Sequence, residues 1–229
     1  MSPIIISFDG NIGSGKSSVV NYFEKNFEKY CNVKTSNYKI CFLQEPVKIW
    51  ESIKDDNGKN AIEKFYENNE RYSFAFQMMA YISRLSILKD ALSKDYDIII
   101  TERSIYTDKN VFAKMLYDSN KMDSIEYQIY LKWFDEFAEI IKYIKIIYIR
   151  TNPEICDLRV KKRNRAGEII PLEYLINCHN YHDNWLNDPE KIESGKTLII
   201  DGNEEINTDK FTDNNYYDEL MDKVFNFIK

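Results

Sequence analysis

The sequence predicts an α/β fold built on a five-stranded parallel sheet with helices on both faces. Short apolar runs alternate along the chain with longer amphipathic segments, which is the pattern of repeated strand–helix–strand units. The first run, 4–7, is rich in isoleucine, as expected for a strand covered on both faces, and a glycine-rich turn follows it. We expect one domain over residues 1–229, because this length suits one core and no linker or repeat divides the sequence.

The glycine-rich turn carries a phosphate-binding motif. Residues 10–17 read GNIGSGKS, which matches G-x-x-x-x-G-K-[ST] between a strand and a helix, as this motif requires. The glycines let backbone N–H groups converge on a polyphosphate, Lys16 reaches the outer phosphates, and the Ser17 hydroxyl is left for Mg²⁺. The sequence therefore predicts a P-loop nucleotide-binding protein. The loop comprises Gly10, Asn11, Ile12, Gly13, Ser14, Gly15, Lys16 and Ser17, and Ser18 begins the next predicted helix.

Composition narrows the class of partner. A net charge of -6 and a pI near 5.2 argue against a nucleic-acid-binding surface, so we expect a small substrate. The four cysteines have no C-x-x-C spacing, which favours free thiols in a reducing compartment. The sequence has no apolar run of membrane length, and the phosphate loop opens at Gly10, which leaves no room for a signal peptide. We therefore expect a cytoplasmic protein with no membrane partner.

The first helix and second strand lead to a candidate catalytic acid. A helix is predicted over 18–30, because its large apolar residues share one face, and a strand over 40–43. Glu45 and Pro46 follow that strand. Ligands of open parallel sheets bind beyond the carboxyl ends of strands, so Glu45 lies where chemistry is expected. A glutamate at a strand end is more commonly a solvated charge, and Glu45 alone would favour that interpretation.

A long helix and a third strand add further polar candidates. After an irregular segment, a helix is predicted over 71–94, with Gln77 and Arg84 one heptad apart on a mostly apolar sequence. Such residues are either buried with partners or on a helix partly open to water, and the pattern does not decide between the two. The strand 97–101 ends in Glu102 and Arg103. With Glu45, Lys16 and Ser17, these residues form a set typical of phosphoryl transfer.

The second half of the chain supplies a basic segment. A helical segment containing Asp108 is predicted to break near Asn120 and resume in the aromatic stretch 127–143, before a strand over 145–149. Thr151 is predicted to cap the next helix. That helix leads into a basic run, which is usually a solvated face. In an acidic chain with a phosphate loop, we interpret it as a lid over a triphosphate. A strand over 197–200 and a helix over 217–228 complete the chain.

Several motifs together resemble the deoxynucleoside kinases of the deoxycytidine, deoxyguanosine and deoxyadenosine kinase type. The resemblance runs from residue 4 to residue 225. It implies a P-loop kinase fold. It also implies an enzyme that uses Mg²⁺ and transfers the γ-phosphate of ATP to the 5′-hydroxyl of a small-molecule deoxynucleoside. It also implies a homodimer formed through a helix bundle, with 71–94 and 127–143 as candidate surfaces. The motifs are GNIGSGKSS, EPVKIW at 45–50, YSFAFQ at 72–77, Ser83-Arg84, Glu102-Arg103-Ser104, the basic lid and PLEYL at 171–175.

The resemblance implies a role for each matching residue. Glu45 is similar to the general base, Arg103 to the residue that holds Glu45 and the incoming phosphate, and Lys16 to the phosphate-binding lysine. Ser17 and Glu102 would hold Mg²⁺, and Tyr66 and Glu168 would bind the 3′-hydroxyl. The base pocket would comprise Trp50, Phe76, Gln77, Arg84, Asp108 and Phe112. Besides the loop through Ser18, the ATP site would include Arg159, Arg163 and Arg165 from the lid, about 159–170, and Glu204, Glu205 and Ile206.

Hydrogen-bond polarity then predicts the preferred base. The Gln77 amide offers one donor and one acceptor, Asp108 accepts, and Arg84 donates. These groups favour deoxycytidine, deoxyadenosine or deoxyguanosine over thymidine, which would place a carbonyl and a methyl against Arg84 and Asp108. Two alternatives stay open. A deoxynucleoside monophosphate kinase would need extra cations near Glu45, and a non-catalytic structural relative would be expected to have lost part of the catalytic set.

Overall fold

A five-stranded, all-parallel sheet lies at the centre of the computed structural model. The structure describes residues 2–34, 38–141, 143–165, 167–190, 196–204 and 215–228. The strands lie in the order β2-β3-β1-β4-β5, so the chain crosses over between them through helices. The predicted α/β fold is confirmed. The strands are β1 (Ile4–Asp9), β2 (Ile40–Leu43), β3 (Ile98–Glu102), β4 (Ile144–Arg150) and β5 (Thr197–Asp201).

Helices connect the strands and follow the last one. A π-helical segment, Asp108–Ala113, joins two short helices where the sequence predicted one continuous helix. The predicted break near Asn120 is confirmed, because that residue is left-handed with a φ of 56°. The α-helices are α1 (Lys16–Lys34), α2 (Val47–Ser52), α3 (Ala61–Glu67), α4 (Asn69–Leu92), α5 (Ile105–Thr107), α6 (Lys114–Asp118), α7 (Ser124–Ala138), α8 (Pro153–Arg163), α9 (Leu172–Leu186) and α10 (Asn215–Ile228).

The two faces of the sheet bury separate cores. Ile6 and Phe8 pack in a cluster with residues of α1 and α10, whereas Ile5 packs with residues of α4 and α7. Successive strand residues point to opposite faces, so a strand between two helical layers is apolar at every position. This explains why unbroken apolar runs predicted the strands.

Strand register brings the predicted site residues to one edge of the sheet. Phe8 of β1 pairs with Glu102 of β3, and Leu43 of β2 pairs with Thr101. The phosphate loop, Arg103 and Glu45 each begin within two residues of these paired positions. Parallel strands end at the same edge, so the three segments converge there.

The helix start after β4 differs from the prediction. Asn152, not Thr151, is the residue before α8, and its side chain makes no capping bond. The Thr151 hydroxyl instead donates to the backbone oxygen of Ser14, 3.1 Å away in the phosphate loop. The prediction of Thr151 as a cap is therefore wrong, because Asn152 occupies the cap position and the Thr151 hydroxyl points to the phosphate loop instead.

Two structural findings concern the cysteines and the predicted absence of a membrane-spanning segment. Cys41, Cys156 and Cys178 are free thiols, and the reducing compartment they favour stays a prediction. In the part of the chain that the structure describes, every helix is too short or too polar to span a membrane.

Candidate active site

The phosphate loop packs tightly against β4 and α8. Gly10 and Gly13 have φ values of +150° and +79°, and a Cβ at either would lie within 2.6 Å of a backbone oxygen, Ile149 O or Cys156 O. Side chains at these positions would therefore displace the loop. Lys16 Nζ donates to the loop itself, to Gly10 O at 3.1 Å and Asn11 O at 2.7 Å.

The Lys16 ammonium lies among both signs of charge. Burial, followed by the charge of Arg103, lowers the pKa of Lys16 to about 7, while Glu102 and Glu45 oppose that shift. A bound polyphosphate would favour the charged form, because an opposite charge nearby stabilises it. The loop is therefore suited to an anionic ligand.

Ser17 and Glu102 form an oxygen-rich pair beside the loop. The Ser17 hydroxyl donates to Glu102 Oε1 at 2.6 Å, and Ser17 is an exposed residue whereas Glu102 is buried. Hydroxyl and carboxylate oxygens are the hard ligands that Mg²⁺ prefers, and Mg²⁺ usually takes only one or two of them from the protein. These two side chains fit such an ion.

Glu45 is held by two arginines. Arg103 Nη1 donates to Glu45 Oε1 at 2.8 Å, and Arg84 Nη2 donates to the same oxygen at 3.2 Å. Burial alone would raise the pKa of Glu45, but the neighbouring cations, led by Arg103 and Arg84, lower it to about 2. Glu45 is therefore ionised near neutral pH. It is not the solvated strand-end charge of the common pattern.

Arg84 extends this network toward the predicted base pocket. Its Nε donates to Asp108 Oδ2 at 3.0 Å, and its Nη1 donates to Glu102 O at 3.1 Å. Burial raises the pKa of Asp108, and the Arg84 charge opposes that shift. The Arg84 side chain is only 3% exposed, so the alternative of a helix open to water here is wrong. We call Glu45, Arg84, Arg103 and Asp108 the acceptor end of the site, because the nucleoside that accepts the phosphate is predicted to bind there.

An aromatic pocket lies beside the acceptor end. The Trp50 and Phe76 rings meet edge to face with centroids 5.6 Å apart, and the Arg103 guanidinium lies 4.8 Å from the Phe112 centroid. Gln77 is 3% exposed, and its Oε1 has no hydrogen-bond partner among the described residues. A buried acceptor without a partner costs free energy, so a ligand that donates to Gln77 would relieve that cost.

The three lid arginines have two kinds of partner, a carboxylate or backbone oxygens. Arg163 Nη2 donates to Glu168 Oε2 at 2.5 Å, and Arg165 Nη1 lies 3.7 Å from Glu168 Oε1. Burial, and next the charge of Glu168, raises the pKa of Tyr66 well above its usual value. Arg159 differs, because it donates to the backbone oxygens of Ser14, Gly202 and Glu204 at 3.3, 2.9 and 2.7 Å.

Comparison with known proteins decides the class. The sequence profile of the deoxynucleoside kinase family matches residues 6–229. The chain belongs to the deoxynucleoside kinase family. It is 33% identical to a probable deoxycytidine kinase of Fowlpox virus, over 97% of this chain and 87% of that protein. It is also 33% identical to deoxycytidine kinase of Homo sapiens, over 97% and 90% of the two chains. Mitochondrial thymidine kinase 2 of Macaca fascicularis is 31% identical over 80% and 64%.

The family and the kinase activity predicted from the sequence are confirmed. The protein is an enzyme that transfers phosphate to nucleosides, and its family implies ATP as the donor. The structure brings together five residues that the sequence predicted for the site: Lys16, Ser17, Glu102, Glu45 and Arg103. It also shows that Arg84 donates a hydrogen bond to Glu45. The predicted ATP contacts Glu205 and Ile206 lie outside the described residues.

Sequence reasoning missed one buried carboxylate of this kinase. Asp9 ends β1 and accepts hydrogen bonds from Ser7, Ser104 and Thr107, with no exposed surface. Its only signal in the sequence is an acid between an apolar strand and the first loop glycine. Two of its partners, Ser104 and Thr107, lie almost a hundred residues away, and no local pattern identifies them.

Proposed function

We propose that this deoxynucleoside kinase phosphorylates the 5′-hydroxyl of deoxycytidine, deoxyadenosine or deoxyguanosine in preference to thymidine, with Glu45 as general base. The observation that carries the proposal is the place of Glu45, ionised between Arg103 and Arg84. It lies at the sheet edge where the phosphate loop presents Lys16. A carboxylate there can accept a proton from an alcohol, and the cations can neutralise the transferred phosphate.

A carboxylate of such low pKa suffices as the base. In phosphoryl transfer the bond to the leaving group is largely broken before the nucleophile bonds, so the hydroxyl becomes acidic late. Glu45 then needs the correct position more than high basicity, and the two arginines fix its Oε1. Removing such a base typically costs roughly 10²–10⁴-fold in rate.

The acceptor end also supports the base preference. Asp108 accepts from Arg84 and has lone pairs left for an exocyclic amino group, while the Gln77 Oε1 atom lacks a donor. Thymine would place a carbonyl and a methyl against the Arg84–Asp108 pair. The relatives at 33% identity that are named deoxycytidine kinases support this preference.

The other predicted residues would bind the phosphates of ATP and the sugar of the nucleoside. Lys16, Arg163 and Arg165 would neutralise the triphosphate, and Ser17 and Glu102 would hold Mg²⁺, which would neutralise further phosphate charge. Tyr66 packs against a cluster that includes Ile170, two residues after Glu168, and the Tyr66 and Glu168 side chains would bind the 3′-hydroxyl. A 3′-deoxynucleoside should then show a higher KM than its 3′-hydroxyl parent, and equal KM values would contradict this role.

Glu45 argues against a monophosphate as acceptor. The phosphate of a nucleoside monophosphate would lie against an ionised carboxylate, and like charges repel. Both arginines that could bind such a phosphate are already bonded to Glu45. The structure therefore favours a nucleoside acceptor.

The exposed apolar face of α7 supports a homodimer. Four large side chains at intervals of four residues are partly or mostly exposed on this helix, where the 3.6-residue period places them on one face. We propose that two copies pair through this face, as the resemblance implies. Sedimentation of the wild type as a monomer would contradict the dimer, and Trp133→Glu should dissociate it. The four side chains are Ile125, Ile129, Trp133 and Phe137.

One assay tests the proposed reaction. ATP consumption is measured with Mg²⁺ and deoxycytidine, deoxyadenosine, deoxyguanosine, thymidine or their monophosphates. We expect turnover of nucleosides, with kcat/KM for thymidine the lowest by roughly 10–100-fold, the equivalent of one or two mismatched hydrogen bonds. Turnover of monophosphates alone would overturn the acceptor assignment. Thymidine with the highest kcat/KM would overturn the base preference.

A further inference from the structure

Asp9 is a buried carboxylate that no ion pair explains. Its Oδ2 accepts from Ser7 Oγ at 2.6 Å, and its Oδ1 accepts from Ser104 N at 3.0 Å, Ser104 Oγ at 3.4 Å and Thr107 Oγ1. None of the salt bridges found among the described residues includes Asp9. A buried carboxylate is costly unless it is hydrogen-bonded, and here the hydrogen bonds come from neutral donors. Three of these four donors belong to Ser104 and Thr107, which follow Arg103 in the chain.

The backbone at Arg103 is strained. Its φ is 69°, in the left-handed region that favours glycine, and Arg103 is a large residue without that freedom. Strained residues persist where the surrounding structure over-determines them. Here Arg103 N donates to Phe8 O at 3.0 Å, Thr101 Oγ1 donates to Arg103 O at 3.0 Å, and Asp9 binds the next residue, Ser104.

This turn directs the Arg103 side chain into the site. Arg103 Nη1 donates to Glu45 Oε1 at 2.8 Å, and Nη2 donates to Gly10 O at 3.1 Å. The backbone and side chain of Arg103 thus contact Phe8 and Gly10, the two neighbours of Asp9 in the sequence. Asp9 is the side chain that fastens the end of β1 to the far side of the Arg103 turn.

We infer that Asp9 is a positioning residue for phosphate transfer, which acts by holding the left-handed Arg103 turn so that Arg103 can hold Glu45. The inference rests on the proposed roles of Arg103 and Glu45. Without the Asp9 carboxylate, Ser104 N and the Thr107 hydroxyl lose their acceptor, and the turn can relax toward an ordinary backbone conformation. The Arg103 guanidinium would then move away from Glu45 Oε1.

A double-mutant cycle tests this inference on the full chain. The variants are Asp9→Ala, Arg103→Ala and the double variant, with kcat and KM for deoxycytidine and the Kd for ATP measured for each. Asp9→Asn serves as the conservative variant, because its Oδ1 still accepts from Ser104 N. Ser7→Ala is the matched control, since it removes a bond to Asp9 on the side away from the Arg103 turn.

We expect Asp9→Ala to lower kcat by roughly 10–100-fold, the usual result of a displaced catalytic group, with KM for deoxycytidine changed less than threefold. The double variant should match Arg103→Ala within about threefold, because two residues that act as one unit are not additive. Asp9→Asn should recover most of the loss, and Ser7→Ala should resemble the wild type. If Asp9→Ala does not fold, Thr107→Val tests the same Oδ1 contact, with a smaller loss of kcat expected.

The outcomes separate the inference from the proposed function. If Arg103→Ala lowers kcat but the losses from Asp9 and Arg103 multiply in the double variant, the inference is wrong and the proposed function stands. The same conclusion follows if Asp9→Ala, or Thr107→Val in its place, leaves kcat unchanged. If Arg103→Ala itself leaves kcat unchanged, the proposed role of Arg103 fails, and this inference fails with it.

Discussion

The acceptor end and the lid hold their charges in opposite ways. Arg84 and Asp108 are buried side chains that bond each other, and Arg84 also bonds Glu45. In the lid, the side chains of Arg163 and Arg165 are 35% and 29% exposed, and both lie beside Glu168. The acceptor end is therefore organised before a nucleoside binds, whereas the lid arginines can exchange a carboxylate for phosphate. Positioning dominates at one end of the site and charge neutralisation at the other.

The largest difference between the two regions should be in stability. Asp108→Ala removes the main partner of buried Arg84, so we expect a loss of about 3 kcal/mol in the free energy of unfolding. Urea unfolding measures this loss. The control is Asp90→Ala, which breaks an exposed pair with Lys94 and should cost at most about 1 kcal/mol. Equal losses would show that the acceptor end is no more tightly held than the surface.

The lid should show its effect in ATP binding instead. Arg163→Ala should raise KM for ATP roughly tenfold, the equivalent of one charge-assisted hydrogen bond, with stability changed by less than about 1 kcal/mol. Lys161→Ala is the matched control, because Lys161 lies on the same helix, pairs with Asp157 and is 71% exposed. Steady-state kinetics at varied ATP gives both values. An equal rise in the control would reduce the effect to general surface charge.

A smaller, pH-dependent effect should appear behind the acceptor end. His182 is fully buried, its ring stacks on Tyr148 and meets Phe112 edge to face, and burial lowers the pKa of His182 to about 3. Between pH 6.5 and 3 the unfolded chain binds a proton at His182 that the folded protein does not, so stability falls as pH falls. From pH 7.5 to 5.5 this residue should cost about 1.4 kcal/mol.

Urea unfolding of the wild type and His182→Asn at both pH values measures this contribution. The asparagine amide can still donate to Cys178 O, the partner of His182 Nδ1. The wild type should lose about 1.4 kcal/mol more than the variant on acidification. Identical losses would mean that His182 has the same pKa in the folded and the unfolded protein.

The sequence could predict the parts of the fold that follow a local pattern of apolar or polar residues. Unbroken apolar runs located all five strands to within two residues, because a covered parallel strand buries both faces. Heptad spacing placed Gln77 and Arg84 together on α4, and both are buried. The π-helical segment was missed, since its extra residue per turn leaves no distinct pattern over one or two turns.

The contacts that organise the site could be predicted only in part. The phosphate loop is a local motif, but the Arg84–Glu45 and Asp9–Ser104 bonds join distant segments through hydrogen bonds that have no period. Arg159 and Arg163 look alike in a basic run. In the structure, Arg159 bonds the distant backbone oxygens of Gly202 and Glu204 beyond β5, whereas Arg163 bonds the nearby Glu168 side chain.

The most direct test of the central claim is the kcat of Glu45→Gln with deoxycytidine and ATP. Glutamine has nearly the same shape but cannot accept the hydroxyl proton as a carboxylate does, so kcat should fall roughly 10²–10⁴-fold while KM for deoxycytidine changes little. Glu51→Gln, an exposed glutamate of α2, is the control and should match the wild type. A kcat for Glu45→Gln within threefold of the wild type would contradict the assignment of Glu45 as the base.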